Sequence, residues 1–275
     1  MGCTVAAGAQ FTSGVNVVEV YAAVVDQNGN PIAGLARGDF SILEDGRPQT
    51  ISTFTEGDFP LSVALGVDRS FSMATRGRQA PLPSVTAART FLSALRPQDE
   101  SMVVAIGSEV EIAAPLSTNR SAQMAMLASL EPWGTTGLHD AIIAAIDAIQ
   151  AAKGRRALVL LSDGDDRYSK ASAEVALERA RRSDVMIYPV ALGRTRPPLF
   201  AELATLTGGR SSQPRDAAQL DGMMRAIANE LHHQYLLGYT PSRPIVAGED
   251  QWRTIAVRVN RPNVIVRARD GYLAR

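Results

Sequence analysis

The spacing of apolar side chains divides the chain into three stretches with different periods. Residues 11–59 carry strand patterns only: Val15 to Val25 is rich in β-branched and apolar residues, Phe40-Ser41-Ile42-Leu43 forms a short run, and Gln49 to Phe54 alternates polar with apolar. Asn28-Gly29 and Asp45-Gly46 separate these runs, and such dipeptides tolerate the positive φ of tight turns. The pattern predicts a small antiparallel sheet with turns and no helix.

Residues 60–233 change character. Leu61–Val67, Met102–Ile106, Ala157–Leu161 and Val185–Leu192 are apolar runs of buried-strand length. Between them lie segments of helical period. Val85 to Leu95 places Val85, Ala88, Phe91, Leu92 and Leu95 on one face. Leu138 to Ala152 carries Leu138, Ile142, Ala145, Ile146 and Ile149 on one stripe, and Ala171–Arg182, Leu199–Leu206 and Ala217–Leu231 supply three more helices. Short buried strands alternating with helices predict an α/β fold, a doubly wound and mostly parallel sheet covered on both faces.

Residues 234–275 return to strand patterns. Tyr235 to Tyr239 precedes a loop over 241–250, then Trp252 to Val259 puts Ile255, Val257 and Val259 on one side. Val264 to Ala268 sets Val264, Val266 and Ala268 opposite Arg267 and Arg269. Neither 11–59 nor 234–275 holds enough apolar residues for a core of its own. The two are expected to pair as a small β-sandwich-like module, with the α/β domain of residues 60–233 inserted between its halves. Residues 1–10 read as a frayed terminus or the remnant of an export signal: Ala7 and Ala9 suit a cleavage site, but no basic and apolar regions precede them.

Charge narrows the partners. Lys plus Arg equal Asp plus Glu at 28 each, so the chain lacks the positive excess that nucleic acid or anionic lipid demands. No apolar run reaches the length of a membrane span. Cys3 is the one cysteine, which excludes an intramolecular disulfide.

The informative residues fall at the carboxyl ends of the predicted parallel strands, where open α/β sheets bind ligands. The first such strand ends in Asp68-Arg69-Ser70-Phe71-Ser72, whose alternate side chains point the same way on an extended segment. The strand Ala157–Leu161 ends in Ser162-Asp163-Gly164, and Gly134-Thr135-Thr136-Gly137 precedes the helix that opens at Leu138. Carboxylate and hydroxyl oxygens form the donor set of a hard cation, and Mg²⁺ commonly uses one or two carboxylates and keeps waters. The lack of His or Cys nearby argues against zinc. Each motif alone is weak, because Asp, Ser and Thr also cap helices and make turns. Their order and spacing along one fold are stronger.

On those motifs the chain resembles the von Willebrand factor A-type domain, over about residues 60–233. The resemblance implies a metal-ion-dependent adhesion site in which Asp68, Ser70, Ser72, Thr136 and Asp163 hold Mg²⁺ (or Mn²⁺ or Ca²⁺), with Thr135 as the alternative to Thr136. It implies a Rossmann-like fold and a protein partner whose Asp or Glu completes the metal shell. The flanking Phe40-Ser41-Ile42-Leu43-Glu44-Asp45-Gly46 and Arg267-Ala268-Arg269-Asp270-Gly271-Tyr272 are similar to a bacterial group of related proteins, typically exported, which implies an extracytoplasmic location. Two positions depart from the family pattern: Phe71 stands where glycine is usual, and Arg69 where a small residue is usual. Both bear on loop geometry and metal affinity.

Other candidates have ordinary explanations. Asp165 and Asp166 fit a solvated turn, Asp140 a helix amino terminus or a loop contact, and Met73 packing under the first helix. His232 and His233 fit the last carbonyls of a helix and lack the i, i+4 spacing of metal ligands. Trp133 suits either a rim contact or a core anchor. A metal-dependent binding module is the leading reading. A scaffold with a degenerate metal site is the alternative, favoured by Arg69 and Phe71. A Mg²⁺-dependent hydrolase using Asp68 or Ser70 is disfavoured, because no His is expected beside Ser70 and neither a Gly-x-Ser-x-Gly elbow nor a phosphate-binding loop occurs.

Overall fold

A computed structural model describes residues 17–57, 59–74, 81–246 and 248–275. The expectations for residues 1–10, including Cys3, and for the start of the first strand lie outside the described residues. Four strands come first: β1 (Val18–Val25), β2 (Phe40–Glu44), β3 (Arg47–Gln49) and β4 (Ile51–Glu56). The alternating section follows with β5 (Leu61–Asp68), α1 (Pro83–Ala94), β6 (Glu100–Ile106), β7 (Val110–Ser117) and α2 (Arg120–Ser129). It continues with α3 (Leu138–Ile149), β8 (Arg155–Ser162), α4 (Ala173–Arg181) and β9 (Val185–Ala191). Helices α5 (Pro198–Thr207) and α6 (Ala217–His232) close this section. Four more strands end the chain: β10 (Tyr235–Tyr239), β11 (Gln251–Val259), β12 (Ile265–Arg267) and β13 (Gly271–Ala274).

The central sheet has the order β7-β6-β5-β8-β9, parallel except for the antiparallel edge strand β7. Alternation along β5 sorts its side chains: Val63, Leu65 and Val67 meet α1 and α6, while Ala64 meets the layer of α3, α4 and α5. Every residue of β5 and β9 is buried, which explains why the strands appear in the sequence as unbroken apolar runs. β5 is followed by a helix on one face and β8 by α4 on the other. The chain therefore leaves these neighbouring strands in opposite directions, and a crevice opens at their carboxyl ends.

The two chain ends pair with each other. β1 lies between β10 and β12, and β10 also pairs with β4, giving the order β12-β1-β10-β4. A second sheet has the order β13-β11-β2-β3. Between them sits a core of Val20, Ala22, Val24, Phe40, Ile42, Tyr235, Leu237, Tyr239 and their neighbours, the expected sandwich. One expectation needs correction. The first four strands do not form one sheet: β2 and β3 pair with each other, whereas β1 and β4 both pair with β10 in the opposite sheet. Arg37–Asp39 also forms one 3-10 turn where no helix was expected. No helix among the described residues is long and apolar enough to cross a membrane.

Candidate functional site

Asp68 ends β5 and is fully buried. Its Oδ1 accepts the Ser70 backbone N–H at 2.9 Å and its Oδ2 accepts the Ser162 hydroxyl at 2.6 Å. The Ser84 hydroxyl, from α1, donates to its backbone carbonyl at 2.5 Å. Ser70 is buried and Ser72 exposed, and their hydroxyl oxygens lie 3.0 Å apart. A hydroxyl pair at that separation, opening from a buried carboxylate toward solvent, is a compact patch of oxygen donors. Asp163 follows β8 and is half-buried. Burial raises the Asp68 carboxyl above the ordinary range, the hydrogen bonds from Ser162 and Ser70 oppose this, and the Asp163 charge adds to the rise. Two carboxylates therefore share one neighbourhood, and neither forms an ion pair among the described residues.

The third loop is laced to the first by backbone hydrogen bonds. Trp133 N–H donates to Arg69 O at 2.7 Å and Phe71 N–H donates to Gly134 O at 3.0 Å. Thr136 follows two residues later and is buried, and its carbonyl accepts from Arg167 and Tyr168 at 2.9 and 3.1 Å. Its carbonyl thus joins this loop to the one after β8. Thr135, the alternative, is exposed and engaged with Ser108: its N–H donates to Ser108 Oγ at 2.9 Å and the hydroxyls lie 3.2 Å apart. Asp68, Ser70 and Ser72 are thus linked directly. Asp163 reaches them through its field, and Thr136 through the hydrogen bonds of its loop.

The departures in the Asp-x-Ser-x-Ser loop have local explanations. Arg69 reaches away along the edge strand: Nη2 donates to Glu111 Oε2 at 3.2 Å, and its guanidinium sits 5.2 Å from the Trp133 ring centroid. Phe71 is 65% exposed, and its backbone, at the start of a 3-10 turn, makes no demand for positive φ. Met73 packs with Leu82 and Val85 as expected.

Several supporting residues escaped the sequence reading. Ser162 bridges Asp68 and the Gly164 N–H (3.0 Å), and Asp166 accepts from the Leu138 and His139 N–H groups at 2.7 and 3.3 Å. Asp166 therefore caps α3 from another loop rather than standing as a solvated charge. Asp140 makes the loop contact expected of it, accepting from Lys170 and Ala171 N–H at 2.9 and 3.0 Å, and Asp165 is the solvated charge expected, paired with Arg167. Gly164 has φ +82°, and a Cβ there would stand 2.1 Å from Pro197, so the turn after Asp163 is closed against the loop following β9. No sequence signal marks these long-range caps.

The three histidines lie away from the hydroxyls. His139 Nδ1 is 3.1 Å from Ala171 O and His233 Nδ1 is 2.7 Å from Asn229 O, the helix-end contact expected. His232 instead turns inward to Asp99 Oδ2 at 2.8 Å. No histidine is bonded to Ser70 or Ser72 among the described residues. Nor does any group of three or more His, Cys, Asp or Glu gather as a metal site there. A cation in the crevice would rest on a mixed set of carboxylates and hydroxyls.

Comparison with known proteins gives the fold its family. Residues 63–165 match the model of the von Willebrand factor type A domain. Among solved structures, a von Willebrand factor type A protein from Catenulispora acidiphila aligns at TM-score 0.53 and 13% identity, covering 93% of this chain and 73% of that one. An aerotolerance-related membrane protein from Bacteroides fragilis aligns at TM-score 0.52 and 15% identity, over 62% of this chain and 99% of the other. Proximal thread matrix protein 1 from the mussel byssus, solved with a zinc-occupied MIDAS motif, aligns at TM-score 0.55 and 13% identity, over 68% and 49%. No curated protein matches the chain. The sheet order, the crevice between β5 and β8 and the matched segment 63–165 together give the central α/β unit of this chain the fold of a von Willebrand factor A-type domain.

Proposed function

We propose that the crevice is a metal-ion-dependent adhesion site in which Asp68, Ser70, Ser72, Thr136 and Asp163 hold one divalent cation, with Mg²⁺ the natural occupant and Mn²⁺ or Ca²⁺ as substitutes. The observation that carries this reading is the buried Asp68 carboxylate, bonded to two serines, linked through Ser70 to the Ser72 hydroxyl, and set beside a second carboxylate without a cationic partner. Burying such charge is costly unless it is paired or coordinates a metal. The donors present fit a hard cation: all are oxygens, and the exposed hydroxyl of Ser72 leaves the solvent side open.

Binding, not turnover, is the use this arrangement favours. The cation draws in a carboxylate from a protein partner, and closing the shell supplies both attraction and direction. No histidine or lysine is bonded to the Ser70 hydroxyl among the described residues, so the usual base of a serine nucleophile is not at hand. The zinc-occupied motif of the mussel protein supports a divalent ion as the occupant. An extracytoplasmic location accords with this role.

Calorimetric titration of chelator-treated protein tests the reading. Mn²⁺ or Mg²⁺ is expected to bind with one ion per chain, and Asp68→Ala is expected to abolish the heat. Absence of any heat in the wild type sinks the proposal and leaves a scaffold with a degenerate site.

A further inference from the structure

Eight large hydrophobic side chains are exposed among the described residues, and the three aromatic ones are Phe71, Trp133 and Tyr168, at 65%, 41% and 60% exposure. All three belong to the loops that carry or hold the candidate metal donors. Phe71 stands between Ser70 and Ser72. Trp133 N–H is bonded to Arg69 O, and Tyr168 N–H to Thr136 O at 3.1 Å. Random placement would scatter such rings over the surface, whereas here all three stand on loops tied to one another at the carboxyl edge of the central sheet.

One of the rings, that of Trp133, is also held in place. Arg69 covers the Trp133 ring, and on its other contact a Cβ at Gly107 would come within 2.7 Å of Trp133 Cε3, so the indole lies directly on that backbone. Rigid, amphipathic aromatic side chains contribute most where they lose little freedom on binding. The charge around them is divided, with exposed Glu109 and Glu131 on the Trp133 side and exposed cations on the loops after β8 and β9. Lys170, Arg194 and Arg196 are exposed and make no ion pair among the described residues. The loop of Arg194 and Arg196 is attached to this edge, because Leu192 N–H donates to Ser162 O at 2.8 Å and Gly193 abuts Asp163.

We propose that Phe71, Trp133 and Tyr168 form an aromatic rim that selects a protein segment in which the metal-binding Asp or Glu is flanked by apolar side chains and further acidic residues. This rests on the metal-dependent reading above and names the partner chemistry of that site. The apolar flanks seat against the rings. The additional acids complement Lys170, Arg194 and Arg196, and a basic or wholly polar flank loses both terms.

The test is an array of synthetic eleven-residue peptides with a central Asp, whose flanks are drawn from Leu and Phe, Ser, Glu, or Lys. It is probed with the full chain in Mg²⁺ and in chelator. Peptides with Leu or Phe beside the Asp and Glu further out are expected to bind in Mg²⁺ only. The triple substitution Phe71→Ser, Trp133→Ser, Tyr168→Ser is expected to weaken that binding by about 30-fold or more, the scale of an interface hot spot, while calorimetric metal binding persists. The single Phe71→Ser variant, at the most exposed ring, repeats the test with less risk to folding. Equal binding of Ser-flanked peptides, an unaffected triple variant, or metal binding without any peptide binding overturns the rim. Apolar-flank selectivity that survives in chelator upholds the rim and instead refutes the metal as the anchor.

Discussion

Replacing Asp68 with Asn separates the cost of the site from its use. Asn has the shape of Asp, so its carbonyl keeps the Ser70 N–H bond of 2.9 Å and its amide can face the Ser162 hydroxyl. At most one hydrogen bond changes character, a loss of about 1 kcal/mol. What the substitution removes is a fully buried charge whose ionisation both burial and the Asp163 carboxylate oppose. Close like charges repel by a few kcal/mol at an effective dielectric constant of about 20. In chelator, Asp68→Asn is therefore expected to be more stable than wild type by about 1–3 kcal/mol, an increase in thermal midpoint of roughly 2–10 °C for a domain of this size. In Mg²⁺ at about 100 times Kd the wild type gains about 2.7 kcal/mol and the variant gains nothing, so the order closes or inverts. Differential scanning calorimetry in chelator and in saturating Mg²⁺ reads both effects. A variant that melts below wild type in chelator refutes the idea that the carboxylate is held against its own desolvation. A variant that still gains the Mg²⁺ shift refutes the location of the ion.

Other predictions concern the scaffold that aims the site. Glu44 is buried and accepts from Arg253 Nη1 (3.1 Å), Tyr239 OH (2.9 Å) and Tyr272 OH (2.8 Å), tying the two sheets of the sandwich together. Glu44→Gln leaves the buried Arg253 charge uncompensated and is expected to cost about 3–5 kcal/mol in urea unfolding, and a change below about 1 kcal/mol contradicts this. Burial pushes the Asp99 carboxyl up, but hydrogen bonds from His232 and the Arg96 N–H, with their charges, outweigh it and hold it below the ordinary value. A depressed folded pKa contributes stability above the unfolded value near about 4, lost as pH falls through the folded one. Asp99→Asn should thus be less stable than wild type at pH 7, with the gap closing below about pH 4, and a gap constant from pH 7 to 3 rules this out. Arg155 is buried against Tyr21 and Phe59, its Nε and Nη1 have no hydrogen-bond partner among the described residues, and burial lowers its guanidinium to about 10. Arg155→Met is expected to be neutral or stabilising by up to about 4 kcal/mol, since a similar volume replaces an unsatisfied ion, and a loss above about 1 kcal/mol argues otherwise.

The fold was legible where burial is complete and obscure where it is partial. β5, β8 and β9 carry long apolar runs (Val63–Val67, Ala157–Leu161 and Val185–Ala191) because helices cover both faces, and α3 presents a full buried stripe. The segment from β7 to α2 left no such trace. β7 is an edge strand with Glu111 and Ile112 exposed and Pro115 within it, which an edge tolerates. α2 buries only Gln123 and Leu127, too few for a periodic stripe. The sheet assignment of β4 was hidden for another reason: local alternation fixes which side chains face inward, but the partner strand is chosen by contacts nearly two hundred residues away in sequence.

The same distinction applies to the crevice. Donor type and strand order are local properties, so Asp68, Ser70, Ser72 and Asp163 stood out from the sequence. What decides whether the loop can keep its shape is not local. Arg69 looked like a positive charge placed beside a cation, yet Glu111 on the edge strand and the Trp133 ring hold its guanidinium along the sheet edge. Phe71 looked like a bulky residue in a glycine position, yet the two backbone hydrogen bonds between this loop and Trp133-Gly134 hold the turn while its ring stays in solvent. Both departures thus leave the hydrogen bonds joining Asp68, Ser70 and Ser72 in place and put new chemistry around them. On the proposed reading, the three exposed rings on these loops are the surface a partner covers, which a site kept only as scaffolding does not require.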